Sequence, residues 1–167
     1  MASKKYASSI VLGLNDALVE LTGALTGLTF ALRNSRLIAM IGIIIGFAAS
    51  LSMSASEYLS SKEELGVKKG STEGKPLKKA LYTGVSYLLT VFILISPYLI
   101  FNNVFMSLTV TILLAFLIIA FYTYKISTIK SVSFWKRFSQ MALIFLGVAF
   151  ISFFLGVLLR NYFAADI

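Results

Sequence analysis

The chain has 167 residues, of which 58% are hydrophobic and only 13% are charged. Soluble domains carry about a quarter charged residues, so this composition indicates a membrane protein. The net charge of +8 does not indicate nucleic-acid binding, because the basic residues flank apolar stretches as they do in most membrane proteins. Cysteine and histidine are both absent, so any metal site must use oxygen and thioether ligands.

Five apolar stretches are long enough to span a bilayer, which requires about 20 residues in a helix. The sequence therefore predicts an all-α membrane protein with five transmembrane helices and a single membrane domain over residues 1–167. The predicted helices cover about 10–32, 37–59, 80–101, 104–124 and 139–159.

The polar connections predict the orientation of the chain. The longest, at about 60–79, is a basic loop, and we expect the second helix to continue to Leu65 and to end at Gly66. The N-terminus, this loop and the connection around Trp135 together contain 12 Lys and Arg, against 3 on the other side. This bias predicts a cytoplasmic N-terminus and a C-terminus outside, with the basic loop contacting anionic lipid and not binding metal.

Four side chains with metal-binding groups lie inside the first two apolar stretches. Asp16 and Glu20 are four residues apart and therefore share one face of the first helix. Met53 and Glu57 have the same spacing in the second helix. Because the two helices run antiparallel, Asp16 and Met53 both lie about 9 Å from the predicted cytoplasmic ends.

Ionisable residues within a membrane span are costly, so Asp16, Glu20 and Glu57 are functional candidates. The alternative for Glu20 and Glu57 is a structural hydrogen bond or, for Glu57, an interfacial position. Carboxylates suit cations such as Mn²⁺ and Fe²⁺, and the thioether of Met53 would favour softer transition metals. The sequence predicts a metal site with Asp16 as the central ligand, Glu20 deeper and Glu57 at the cytoplasmic entrance.

Small residues lie beside the acids on the first helix. Gly23 and Gly27 form a GxxxG pair, and Gly13 extends the same broad stripe. Such stripes permit close helix approach. We predict that these glycines pack at a two-fold dimer interface, which would place the acids of both subunits along one central path.

The sequence around these residues resembles that of the vacuolar iron transporter family. The resemblance is specific in the first two helices and rests on hydropathy in the other three. It implies a homodimer that exports Fe²⁺ or Mn²⁺ from the cytoplasm in exchange for protons, with no permanently bound cofactor and with Asp16 and Met53 at the family's intramembrane ligand positions. The residues concerned are Gly13-Leu14-Asn15-Asp16-Ala17-Leu18, Gly23, Gly27, Ser52-Met53 and Glu57-Tyr58.

The chain also departs from the plant-type members of that family. They carry a glutamate eight residues before the methionine, where this chain has Ile45. They also carry a long acidic metal-binding domain after the second helix, where this chain has only the short basic loop. We therefore expect a short prokaryotic-type member in the cell membrane, or in the vacuolar membrane if the source is eukaryotic.

An enzyme and an accessory membrane subunit are the two alternatives to a transporter. Intramembrane aspartyl proteases need two aspartates, whereas only Asp16 lies within a span, and metalloenzymes usually need histidine, so no enzymatic activity is expected. An accessory or structural membrane subunit without transport activity remains the alternative. It would predict acids that pair internally and no effect of metal on the protein.

Overall fold

The structure is a computed structural model that describes residues 2–67, 75–130 and 133–163, and every regular element in these segments is an α-helix. All five helices are long and apolar enough to cross a membrane, which confirms the predicted all-α membrane fold. They are α1 Ala2–Leu32, α2 Ser35–Val67, α3 Pro76–Ile100, α4 Val104–Lys130 and α5 Phe134–Phe163.

The helices are longer than the apolar stretches at the ends predicted to be cytoplasmic. Helix α2 continues past the apolar stretch to Val67, close to the predicted end near Leu65 and Gly66. Likewise α4 continues to Lys130, and α3 begins at Pro76, where the missing proline N–H costs no helical hydrogen bond. Hydropathy detects only the part of a helix that lies in hydrocarbon, whereas the helical hydrogen bonds continue through polar residues. The middle of the predicted basic loop, residues 68–74, lies outside the described residues.

Helix α1 occupies the centre of the bundle. It packs mainly against α3 and α5 and also contacts α2 and α4, while α2 packs mainly against α3. Its fully buried leucines, Leu18, Leu21 and Leu25, form one core with side chains of α3, α4 and α5. Many large apolar side chains on the outer helices are exposed, as expected for surfaces that face lipid.

Proline in α3 is accommodated by a side chain. Pro97 lies inside the helix and has no N–H for the carbonyl of Ile93 four residues earlier. The hydroxyl of Ser96 donates to that carbonyl over 2.8 Å instead. At the same end, the hydroxyl of Ser35 lies 2.9 Å from the carbonyl oxygen of Tyr98 and 2.8 Å from that of Phe101, which ties the start of α2 to the end of α3.

Glycines bring the C-terminal halves of α1 and α5 into backbone contact. A Cβ placed on Gly156 would meet the carbonyl oxygen of Gly27, and one on Gly27 would lie 3.0 Å from the carbonyl oxygen of Ser152. A Cβ on Gly23 would lie 2.7 Å from Cγ1 of Val148. Both glycines of the GxxxG pair therefore pack within the chain.

Gly13 packs against α3, since a Cβ there would meet the carbonyl oxygen of Thr83. All three glycines predicted to form the dimer interface thus have intrachain contacts. Their role between two copies stays a prediction. Large residues at Gly23 or Gly27 cannot test it, because such residues would separate α1 from α5.

The contact between α1 and α5 predicts a clear difference between two glycines of α5. Gly156→Ala places a methyl group against backbone and should destabilise the protein by about 1–3 kcal/mol, the usual cost of overpacking. Gly147→Ala is the matched control, since nothing lies within 4 Å of a Cβ at Gly147. Thermal unfolding in detergent should show a lower midpoint for Gly156→Ala alone. Equal midpoints for the two variants would contradict the close contact.

The predicted orientation can be tested by labelling, because the chain contains no cysteine. Asn102→Cys, in the short connection between α3 and α4, should react with a membrane-impermeant maleimide added outside cells. Lys75→Cys, at the start of α3, should react only after the cells are opened. Both positions are exposed, and Asn102 is chosen because Asn103 caps α4 through the backbone N–H of Phe105 at 3.0 Å. The opposite labelling pattern would reverse the topology.

Candidate metal site

Two carboxyl groups face each other on the same side of α1. Asp16 is half-buried, Glu20 is exposed to the outside of the single chain, and their side chains are close enough to interact directly. Within the described residues, no hydroxyl, amide or basic group donates a hydrogen bond to Asp16. The structure therefore confirms the shared face and leaves Asp16 as the carboxyl group without a donor.

Glu20 has a fixed partner on α3. The hydroxyl of Tyr87 donates to Oε2 of Glu20 over 2.8 Å, and the tyrosine side chain is otherwise fully buried. This bond holds Glu20 against α3 while its carboxyl group also faces Asp16.

Glu57 has a partner on α1. The hydroxyl of Ser9 donates to Oε1 of Glu57 over 2.9 Å, and Ser9 is only 1% exposed. The carbonyl oxygen of Ser9 accepts a 3.1 Å hydrogen bond from the hydroxyl of Thr83. The ends of α1, α2 and α3 are thus linked around Glu57 by hydroxyl groups.

A cavity of about 620 Å³ lies beside Asp16. Its polar lining includes Asn15, Asp16 and Arg137, and Met141 contributes a thioether from α5. The side-chain oxygen of Asn15 is buried and has no hydrogen-bond partner among the described residues. The remaining lining is mostly apolar, so the polar groups concentrate near Asp16.

A second cavity of about 290 Å³ lies beside Glu57. Glu64 and Lys79 also line it, and they form an ion pair with an N–O distance of 3.7 Å. Ser8 and Leu12 line both this cavity and the larger one. The two cavities are therefore neighbours along α1, with Glu57 and Asp16 on opposite sides of Leu12.

The structure brings together some of the predicted ligands but not all. Asp16 and Glu20 are adjacent, whereas Glu57 lies in the neighbouring cavity. Met53 is half-buried on α2 and is not among the residues lining the cavity of Asp16, whereas Met141 is. Among the described residues, no three carboxylate, histidine or cysteine groups cluster as they would around a metal ion.

Sequence reasoning missed the hydroxyl donors. Ser9 and Tyr87 lie 48 and 67 residues from the acids that they contact, so no local pattern could reveal them. The only signal in the sequence was general: polar side chains inside apolar stretches tend to face other helices.

Comparison with known families gives the assignment. A family model described as the VIT family matches residues 7–69 and 61–157, which together cover most of the chain. The chain belongs to the VIT family. No curated protein matches it. The predicted resemblance is thereby confirmed, and the protein is an integral membrane protein of a metal-ion transporter family.

For this VIT family member, the two methionines give a test of the soft ligand. Met53→Leu keeps size and hydrophobicity and should change the preference among Mn²⁺, Fe²⁺ and Co²⁺, because only the sulfur is lost. Met141→Leu is the comparison, since Met141 contributes the thioether that lines the cavity of Asp16. Metal-dependent shifts in thermal unfolding would measure the preference. If Met141→Leu alone changed the metal preference, the thioether ligand would be Met141 on α5.

Proposed function

We propose that the protein exports divalent Fe²⁺ or Mn²⁺ from the cytoplasm in exchange for protons, and that it does so as a homodimer. The observation that carries this proposal is the pair formed by Asp16 and Glu20 inside a membrane span. Two carboxylates one helical turn apart on the same face repel each other, and the repulsion is relieved by a shared proton or by a bound cation. Such a pair can exchange a proton for a bound cation.

The donor set supports a hard or borderline divalent metal. Asp16 and Glu20 supply carboxylate oxygens, and Asn15 supplies a buried amide oxygen beside the same cavity. Oxygen ligands of this kind suit Mn²⁺ and Fe²⁺. The chain has no histidine or cysteine, which removes the ligands that zinc sites most often use.

The distribution of charge supports loading of a cation from the side of Glu57. Glu57, Glu64 and Lys79 line the cavity at the predicted cytoplasmic entrance, which leaves one net negative charge to attract cations. At the other end, a pocket of about 290 Å³ contains Arg33 and Arg36 and no acid. A cation at this outer end meets positive charge, which opposes its binding there, and we infer that the proton gradient sets the direction of transport.

The exposure of Glu20 supports a homodimer. A carboxyl group that faced lipid from the middle of a span would be costly, so a protein surface is expected to cover it. Among the described residues, no third carboxyl group joins Asp16 and Glu20 in a cluster, so one chain offers few protein ligands for Mn²⁺. A second copy of α1 would cover Glu20 and double the number of carboxylates at the path.

One observation favours the alternative, an accessory subunit without transport activity. The bonds from Tyr87 to Glu20 and from Ser9 to Glu57 satisfy two of the three acids within the chain. Neither bond involves Asp16, so the effect of changing Asp16 distinguishes a transporter from an accessory subunit.

The experiment is Mn²⁺ uptake into inverted vesicles or proteoliposomes with and without a proton gradient. Asp16→Asn should reduce uptake to the level of empty vesicles, because an amide is a poor substitute for a carboxylate at a hard cation. Glu63→Gln is the matched control, since it removes an exposed carboxylate from α2 beyond the apolar stretch and should leave uptake unchanged. Native mass spectrometry should show the same dimer for both variants.

Two results would overturn the proposal. Uptake by Asp16→Asn equal to that of the parent would exclude the acid pair as the transport site. Absence of uptake by the parent protein, with no thermal shift on addition of Mn²⁺ or Fe²⁺, would support the accessory subunit.

A further inference from the structure

The bond between Tyr87 and Glu20 joins a buried core residue to an acid of the proposed path. Tyr87 is 0% exposed and belongs to the hydrophobic core, where its ring packs among side chains of α1 and α3. Its hydroxyl bonds to Glu20 over 2.8 Å. Because the ring is held on all sides, the position of the hydroxyl oxygen is fixed by packing.

A second buried tyrosine on the same helix shows a different arrangement. Tyr98 is 1% exposed, and its hydroxyl lies 2.7 Å from the hydroxyl of Thr29 on α1. Thr29 in turn donates to the carbonyl oxygen of Leu25 over 2.7 Å. Both tyrosines tie α3 to α1, but only Tyr87 does so through a carboxyl group.

The surroundings of Glu20 make this bond the main restraint on its carboxyl group. The charged or titratable groups that interact with the Asp16–Glu20 pair are Tyr87 on α3 and, across the larger cavity, Arg137 on α5. At the neighbouring turn, Gly23 meets only Val148 and a serine hydroxyl of α5. Among the described residues, Tyr87 is the one hydrogen-bond donor to Glu20.

We propose that Tyr87 is a positioning residue for metal–proton exchange, holding Glu20 at a fixed distance from Asp16. A phenolic donor bonds more strongly to an ionised carboxylate than to a protonated one. Tyr87 therefore fixes the direction in which the carboxylate oxygens of Glu20 point, whereas Asp16 has no such donor among the described residues. This inference rests on the proposed transport function and adds a residue of α3 to its site.

The test compares Tyr87→Phe with Tyr98→Phe in the proteoliposome assay for Mn²⁺. Each substitution removes one buried hydroxyl that bonds to α1, so the effects on packing are matched. Tyr87→Phe should raise the apparent KM for Mn²⁺ about tenfold, the size expected for one hydrogen bond to a charged group. It should also weaken the stimulation by a proton gradient, whereas Tyr98→Phe should change neither quantity.

A double variant shows whether Tyr87 acts through Glu20. Glu20→Gln should itself blunt the proton stimulation, and adding Tyr87→Phe should cause no further loss, because Glu20→Gln has already removed the charged carboxylate that Tyr87 positions. Adding Tyr98→Phe to Glu20→Gln should likewise cause none. A structural role for Tyr87 would instead give losses that add to those of Glu20→Gln.

The outcomes separate this inference from the proposed function. If the parent transports Mn²⁺ and Asp16→Asn does not, but Tyr87→Phe behaves like Tyr98→Phe or adds to Glu20→Gln, the positioning role is wrong and the transport proposal stands. If Asp16→Asn transports like the parent, the transport proposal itself fails.

Discussion

The repulsion between two carboxyl groups one helical turn apart is the constraint around which this protein is arranged. Asp16 and Glu20 lie in a helix whose buried side chains include Leu18, Leu21 and Leu25. Water cannot solvate them there as it would at a surface, so the protein must supply donors, cations or protons. Helix α1 contacts all four other helices, and the neighbours of these acids come from α3, α4 and α5.

Hydroxyl groups donate hydrogen bonds to several of the acids and backbone carbonyls inside this fold. Ser9 holds Glu57, Tyr87 holds Glu20, and Ser96 serves the carbonyl that Pro97 leaves without a partner. A hydroxyl can donate without introducing charge, so it orients a carboxylate without competing with a metal ion as lysine or arginine would. Basic groups line both cavities: Lys79 pairs with Glu64 at the predicted entrance, and Arg137 lines the cavity beside Asp16.

The parts of the structure that follow local rules were predictable from the sequence. The five helices follow from apolar stretches of sufficient length, and the shared face of Asp16 and Glu20 follows from a spacing of four residues. The extension of α4 to Lys130 was missed, because helical hydrogen bonding continues beyond the apolar part of the segment. Hydropathy measures the preference of a segment for lipid and does not report where its helical hydrogen bonds end.

Features that depend on pairs of helices were not predictable. Gly23 and Gly27 have the spacing of a dimer motif, but a close approach within one chain requires the same small residues, and the sequence does not say which helix approaches. For the same reason the depth of Met53 suggested proximity to Asp16, whereas the cavity beside Asp16 contains Met141. The depth of a side chain in the membrane does not say which way its helix is rotated or which helix lies next to it.

The backbone contact between Gly27 and Gly156 restricts how this bundle can move. Backbone atoms already in contact cannot slide past each other without first separating, so the C-terminal halves of α1 and α5 are held together. Toward its N-terminal end, α1 makes a second close approach, where Gly13 lies against the carbonyl of Thr83 on α3. Helix α1 is therefore fixed to two different neighbours on either side of Asp16, and a movement of α1 that widened the access to Asp16 would have to separate one of these two contacts.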